Sequence, residues 1–410
     1  MASSTVRSLS HLKVIDLSRV LAGPWAGQLL ADLGAEVIKI ERPGSGDDTR
    51  GWGPPYLATP EGEPTRESAY YLAANRNKKS LSVDLATPEG AEIVRRLAAR
   101  ADVIIENFKV GGLQPYGLDY QSLRAINPRL VYCSITGFGQ SGPYASRPGY
   151  DLLIQAMGGL MSITGASSGP GSGPQKVGVA VADILTGLYS SVGILAALAY
   201  RDRTGVGQHI DVALLDVEVA CLANQAMNFL VSGKSPSRMG NAHPNIVPYQ
   251  DFATADGAMI IAVGNDAQFK RLCEAIGLPA LAGDPRYLTN AGRLAHRDEL
   301  VPAIAAAIAT RPTRDWVVVI EAAGVPCGPI NTIEQVFDDP QVVARGMRRT
   351  LDHPLAGSAP SVANPLRLSQ TPVEYRSGPP LLGQNNAEVL EGWLGLSADE
   401  ISRLVEKGIL

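Results

Sequence analysis

Between residues 12 and 138 the chain alternates short β-rich runs with apolar patterns at helical spacing, and this alternation restricts the fold more than any other feature. The runs at 12–18 (LKVIDLS), 35–41 (AEVIKIE), 80–85 (SLSVDL), 102–108 (DVIIENF) and 130–138 (LVYCSITGF) favour strands through their β-branched residues. Segments 23–34 and 88–101 have helical spacing, the second opening on Pro88, which suits a first helical turn. Strands alternating with helices imply a parallel, doubly wound sheet, so the expected class is α/β with a Rossmann-like large domain. Further helices are expected near 149–161 and 180–201, a strand at 208–216, and a helix from there to about 231.

After Ile246 the pattern changes. PYQDFATADGAMIIAVG reads as an antiparallel hairpin turning at Asp256-Gly257, followed by helices to about 323. The expected organisation is a large domain at 1–215, a linker at 216–240, and a smaller α+β domain at 241–340. A Pro-, Gly- and Ser-rich linker at 341–385 leads to helices at 386–410 that return to the large domain.

Several functional classes are excluded early. A net charge of −4 and 6% aromatic residues give no footprint for nucleic acid or an anionic membrane. Cys133, Cys221, Cys273 and Cys327 lie far apart, without the spacing of a zinc site or a disulfide framework, so no metal is expected. MASSTVRSLS lacks the apolar core of a secretory signal. The expected location is the cytoplasm, with the mitochondrial matrix as the alternative. The apolar stretch 182–200 contains Asp183, Thr186, Gly187, Ser190 and Ser191, which fits a buried helix better than a membrane span.

Three familiar motifs fail on context. Gly23-Pro24-Trp25-Ala26-Gly27 follows the first strand but is not GxGxxG, so a nicotinamide cofactor is unsupported. Gly233-Lys234-Ser235 resembles the end of a P-loop, but Asn228 stands where the first glycine is required. Gly165-Ala166-Ser167-Ser168-Gly169 matches the GxSxG of serine hydrolases, but a helix precedes it and a Gly/Ser-rich loop to residue 176, read as mobile, follows.

Asp183 is the one charge between Lys176 and Arg201. Buried without partners, such a carboxylate costs several kcal/mol or more. It reads either as the N-cap of a helix beginning at Ile184 or as a group whose charge the protein uses. Asn75-Arg76-Asn77-Lys78-Lys79 is either a solvated lead-in to a strand or the lining of a phosphate channel. Arg42-Pro43-Gly44-Ser45-Gly46 and Glu106-Asn107-Phe108 both follow strands, and in a parallel sheet they share the carboxyl edge where ligands bind.

These pieces together resemble the class III CoA-transferases, the family of formyl-CoA transferase and carnitine CoA-transferase. The resemblance runs through DLSRVLAGP (16–24), GAEVIKIERPGSGD (34–47), NRNKKS (75–80), ENF (106–108) and SITGFGQSGP (134–143). It continues through VADILTG (181–187), RTGVGQ (203–208), VPCGPIN (325–331) and PPLLGQ (379–384). DDTRGWGPP (47–55) and HPNIVPYQ (243–250) resemble the branch that uses succinyl-CoA and dicarboxylates. The resemblance implies Asp183 as a covalent nucleophile, an acyl-CoA and a free carboxylic acid as substrates, and no metal. The CoA would pass from succinyl-CoA to an acid such as glutarate, hydroxymethylglutarate or itaconate. It further implies an interlocked, ring-like homodimer.

CoA contacts carried over by the resemblance are Leu21, Ala22, Arg42, Asp84, Leu85, Asn107, Phe108, Arg147, Tyr150 and Asp151. Leu21 replaces the glutamine of formyl-CoA transferase, and Pro115 replaces an arginine. That enzyme's tetraglycine loop is absent at Gly240–His243, so the segment 165–173 is the expected cover. Arg50, Arg76 and Arg238 are candidates for a dicarboxylate's second charge. The racemase branch of the family needs a histidine where Tyr150 stands, and a phenol is a poor substitute for an imidazole.

Overall fold

The computed structural model describes residues 7–169 and 171–410. They fall into two compact units. The larger comprises the chain up to Leu160, Val177–Met227 and Pro340–Leu410; the smaller comprises Met161–Lys176 and Asn228–Asp339.

The larger unit is built on six parallel strands: β1 (Lys13–Asp16), β2 (Glu36–Glu41), β3 (Lys78–Ser82), β4 (Val103–Glu106), β5 (Val131–Thr136) and β6 (His209–Ala213). Their order is β3-β2-β1-β4-β5-β6, the doubly wound arrangement. The order reverses between β1 and β4, which opens a crevice at their carboxyl ends. The strands are short and apolar because both faces are covered. Ile15, Ile38, Leu81 and Ile104 face one core. Val14, Val37, Val103 and Val131 face the other.

Helix α1 (Ala22–Asp32) and helix α2 (Pro88–Ala98) follow β1 and β3. Thr87 caps α2 by accepting from the Gly90 N–H, with Pro88 in the first turn. Helix α3 (Asp151–Met157) and the long helix α4 (Val181–Thr204) complete the second face. Helix α4 packs on α1 at a point where glycine is required: a Cβ on Gly187 would stand 2.6 Å from the Ala22 carbonyl oxygen. Helix α4 is long and apolar enough to cross a membrane by length and composition, but half of its most apolar window is buried in the protein. Helix α5 (Asn386–Leu394) and helix α6 (Ala398–Glu406) close the first face, with Val389, Leu390, Trp393 and Ile401 in its core.

The smaller unit carries a three-stranded antiparallel sheet of Cys327–Pro329, Ala258–Ala262 and Tyr249–Ala253. Helices Asp266–Ala275, Arg297–Ile308 and Thr313–Ala322 contribute to its core around Phe269, Leu300 and Trp316. The hairpin turns at 254–257, with the Thr254 N–H donating to the Gly257 carbonyl.

Two expected linkers have structure of their own. Segment 216–240 is largely helical, with helices Leu214–Cys221 and Ala223–Ser232. Segment 341–385 contains a hairpin of Arg348–His353 with Gly357–Val362 and is bound to the large unit. Asn364 Nδ2 donates to Asp32 Oδ2 at 3.0 Å, and Asn77 Nδ2 donates to the Glu374 carbonyl at 2.8 Å. Composition suggested a tether because an irregular strap held by side chains of distant residues has no periodic signature.

Candidate active site

Asp183 lies in the first turn of α4, third from its start, not at the N-cap; that position belongs to Ala180, whose side chain makes no cap. Asp151 supplies the missing acceptor from α3, with Oδ1 taking the Ala182 N–H at 2.9 Å and Oδ2 taking Gln155 Nε2 at 2.7 Å. The Asp183 carboxylate itself has no hydrogen bond or ion pair among the described residues. It is partly buried, and that burial, with the negative charge of Asp151 added, pushes its pKa up to about 7. The N-cap reading of Asp183 thus gives way to a carboxylate whose structural duty a neighbour performs.

Tyr70 stands in the field of Asp183, Asp151 and Asp47 at once; burial first, then these three charges, raise its pKa. Trp52 packs edge-on against it with ring centroids 5.2 Å apart. No spacing in the sequence marks this aromatic pair.

A cavity of about 400 Å³ lies along the carboxyl edge of β1–β4 and brings together Arg42, Asp84, Leu85 and Phe108. Its size is in the range of small-molecule sites. Arg42 is exposed and makes no ion pair among the described residues. Leu21 and Ala22 are buried where α1 begins. Asn107 spends its amide on the backbone of Arg19, accepting from its N–H at 2.9 Å and donating to its carbonyl at 2.7 Å. Arg147 lies on the aromatic rings of Tyr144 and Phe138, at 4.6 and 5.3 Å. Tyr150 is exposed at the start of α3.

The basic stretch 75–79 is buried from Asn75 to Lys78 and half-buried at Lys79, and Arg76 and Lys78 are bound to carboxylates. Arg76 grips Asp32 through Nε at 3.0 Å and Nη2 at 2.5 Å, and its Nη1 donates to Ser361 Oγ and the Val362 carbonyl. Lys78 Nζ, fully buried, donates to Asp16, Asn75 and the Pro24 carbonyl. Burial brings the Lys78 pKa down to about 8, against the pull of Asp16.

Arg50 is equally committed. It forms a bidentate pair with Glu41 at 2.8 and 2.8 Å, reaches Glu67 at 3.2 Å, and donates to Tyr71 Oη and the Pro380 carbonyl. A substrate carboxylate would have to break these contacts, so neither Arg50 nor Arg76 suits that task. Arg238, in the smaller unit, donates to the Ala166 carbonyl at 3.3 Å and has no acidic partner among the described residues. Most of the 165–173 segment is described, Pro170 lying outside; the Gly165 carbonyl accepts from the Gly240 N–H at 3.0 Å.

Among the described residues no group of three or more His, Cys, Asp or Glu side chains is placed to hold a metal ion.

The sequence pattern of CoA-transferase family III matches residues 9–386. The succinate–glutarate CoA-transferase of Agrobacterium fabrum is 56% identical over 382 residues, covering 93% of this chain and 94% of its own length. The human succinyl-CoA:glutarate CoA-transferase is 42% identical over 407 residues, covering 99% of this chain and 91% of its own. Among solved structures, a CAIB/BAIF family protein from Brucella suis is 53% identical, with a TM-score of 0.82 over 94% of this chain and 99% of that one.

Proposed function

The chain belongs to CoA-transferase family III, and on that footing we propose that it moves CoA from succinyl-CoA to glutarate or a similar dicarboxylate through covalent intermediates on Asp183. The observation that carries the mechanism is the unpartnered Asp183 carboxylate in the first turn of α4. A carboxylate free of cations and donors is a better nucleophile than one tied into an ion pair, and the helix N-terminus favours its anion.

In the first step an Asp183 oxygen attacks the thioester carbonyl; the C–S bond breaks, CoA leaves as thiolate, and a mixed anhydride forms. The thiolate then attacks the Asp183 carbonyl carbon, expelling succinate and leaving an aspartyl-CoA thioester. The acceptor carboxylate displaces the thiolate in turn, forming a second anhydride. The thiolate finally attacks the acceptor's acyl carbon and releases Asp183. One thioester is exchanged for another, so the reaction consumes no other high-energy bond. Both anhydrides are prone to hydrolysis, which favours the withdrawal of Asp183 from water.

The cavity holding Arg42, Asp84, Leu85 and Phe108 is the proposed seat of part of the CoA. Arg42, exposed and without an acidic partner among the described residues, would lie against its adenine. Neither Arg50 nor Arg76 keeps donors free for the acceptor's distal carboxylate. The chain is further proposed to work as an interlocked homodimer. In support, α4 leaves Leu188, Val192 and Leu195 exposed along one face, and α3 leaves Leu152 and Leu153 exposed.

The deciding experiment incubates the protein with succinyl-CoA and a panel of acids. Glutaryl-CoA should form from succinyl-CoA and glutarate, and glutarate should be preferred to valerate. With succinyl-CoA alone, mass spectrometry should find CoA on the peptide bearing Asp183. Equal use of glutarate and valerate defeats the dicarboxylate reading. An unmodified Asp183 peptide in an active enzyme defeats the covalent mechanism.

A further inference from the structure

Five successive backbone polar groups between β1 and α1 are each met by a side chain. The Ser18 N–H donates to Asp16 Oδ1 at 3.0 Å, and the Ser18 carbonyl accepts from Lys39 Nζ at 2.9 Å. The Arg19 N–H and carbonyl are both held by Asn107, as described above. The Val20 N–H is shared by the two Asp47 oxygens at 3.2 and 3.3 Å. Lys39 and Asp47 are themselves joined at 2.7 Å, with neither side chain exposed. The clamp therefore reaches in from β2, from the loop after β2 and from the end of β4.

It encloses an outlier. Val20 has φ +72°, a left-handed conformation that a β-branched residue avoids. Such a residue persists only where its surroundings over-determine it, and it is found at functional sites. Two residues later α1 begins, and the Ala22 carbonyl meets α4 at Gly187, one helical turn from Asp183. The Ala22 and Gly23 N–H groups, first in their helix, have no intrahelical acceptor.

We propose that the clamp, with Asp47 and Asn107 as its principal members, is positioning machinery for the transfer. It holds Val20 in its disfavoured conformation so that the first turn of α1 presents its free N–H groups to the acyl oxygen that becomes negative at Asp183. This rests on the transferase reading above. It also gives Asn107 a role other than gripping CoA: its amide builds the turn.

The test is a rescue. Asp47→Ala should lower kcat about 100-fold, the scale of a misplacement of about 1 Å, while KM for acyl-CoA changes less than about threefold. Glycine adopts a left-handed conformation without steric cost, so adding Val20→Gly should restore at least about tenfold of the lost kcat. Asn107→Ala, a milder change in a partly exposed residue, should show the same kcat loss in smaller degree and the same rescue. It carries the test should Asp47→Ala not fold. A loss confined to KM, or a double variant no faster than the single one, overturns the proposal. Wild-type protein that transfers CoA to no acid in the panel defeats the transferase reading instead. The clamp is then decided by unfolding: Val20→Gly must stabilise the Asp47→Ala or Asn107→Ala protein more than it stabilises the wild type, and equal effects overturn it.

Discussion

Asp47 and Asp183 are carboxylates of the same unit, each largely withdrawn from water, and their surroundings drive them in opposite directions. Burial works to raise both. At Asp47 the charge and hydrogen bond of Lys39, with the N–H and hydroxyl of Thr49, outweigh it and hold the pKa at about 2. At Asp183 no cation or hydrogen-bond donor side chain among the described residues opposes burial, the charge of Asp151 adds to it, and the pKa rises to about 7. A buried charge with partners on every side is scaffold. One left without partners at the mouth of a helix costs stability and is poised to react. Arg50, Arg76 and Lys78 belong with Asp47 by this measure; Asp183 stands apart.

The largest expected effect separates the two residues by stability and activity together. Asp183→Asn should lose transferase activity by at least about 10³-fold, as expected for removal of a nucleophile. It should also be more stable than the wild type. The folded chain holds the Asp183 proton more tightly than the unfolded one, so this residue's contribution to stability falls as pH rises from about 4 through about 7. The gain in Asp183→Asn is thus expected at pH 8, of order 2 kcal/mol, and should vanish near pH 4. Asp47→Ala should do the reverse, losing about 3 kcal/mol at pH 8 because the buried Lys39 loses its ion-pair partner. Denaturant unfolding of the three proteins at both pH values decides it. If the two substitutions shift stability in the same direction at pH 8, the contrast fails.

How much of this was legible in the chain divides along the same line. The sheet and its parallel order follow from period and alternation, which local sequence carries directly. Asp183 stood out because a lone charge in an apolar run has no local excuse. What escaped reading were partnerships between distant side chains. Lys78 looks like a surface lysine until β3 brings it beside Asp16, sixty-two positions away in the chain. Arg50 looks free until Glu41 and Glu67 converge on it. Nothing around Val20 announces a positive φ, since the groups enforcing it come from 39, 47 and 107.

A smaller effect concerns pH and activity. Only the ionised Asp183 can attack a thioester, so kcat/KM should be level above about pH 7.5 and fall roughly tenfold per unit below about 6.5. The fall runs opposite to the stability contribution of the same residue, which improves as the carboxylate is protonated. A rate that stays level down to pH 5 would mean that Asp183 is ionised well below neutrality, like Asp47, and would erase the distinction between them.

The finest test asks what Asp151 adds. It does two things for α4: its oxygen accepts the Ala182 N–H, and its charge helps hold the Asp183 proton. Asp151→Asn keeps an oxygen for the first task and removes the charge for the second. The acid limb of the pH–rate profile should therefore move toward lower pH by less than one unit, since burial is the larger cause and is untouched. Relative to its own rate at pH 8, the variant should be about two- to threefold faster at pH 6 than the wild type, as a shift of that size requires. Asp151→Ala should move the acid limb the same way and also lose about 1 kcal/mol of stability, because the Ala182 N–H is then unmet. An acid limb that stays in place in both variants would assign the rise at Asp183 to burial alone and make Asp151 a cap. A limb that moves in Asp151→Ala but not in Asp151→Asn would instead trace the shift to the start of α4 coming loose.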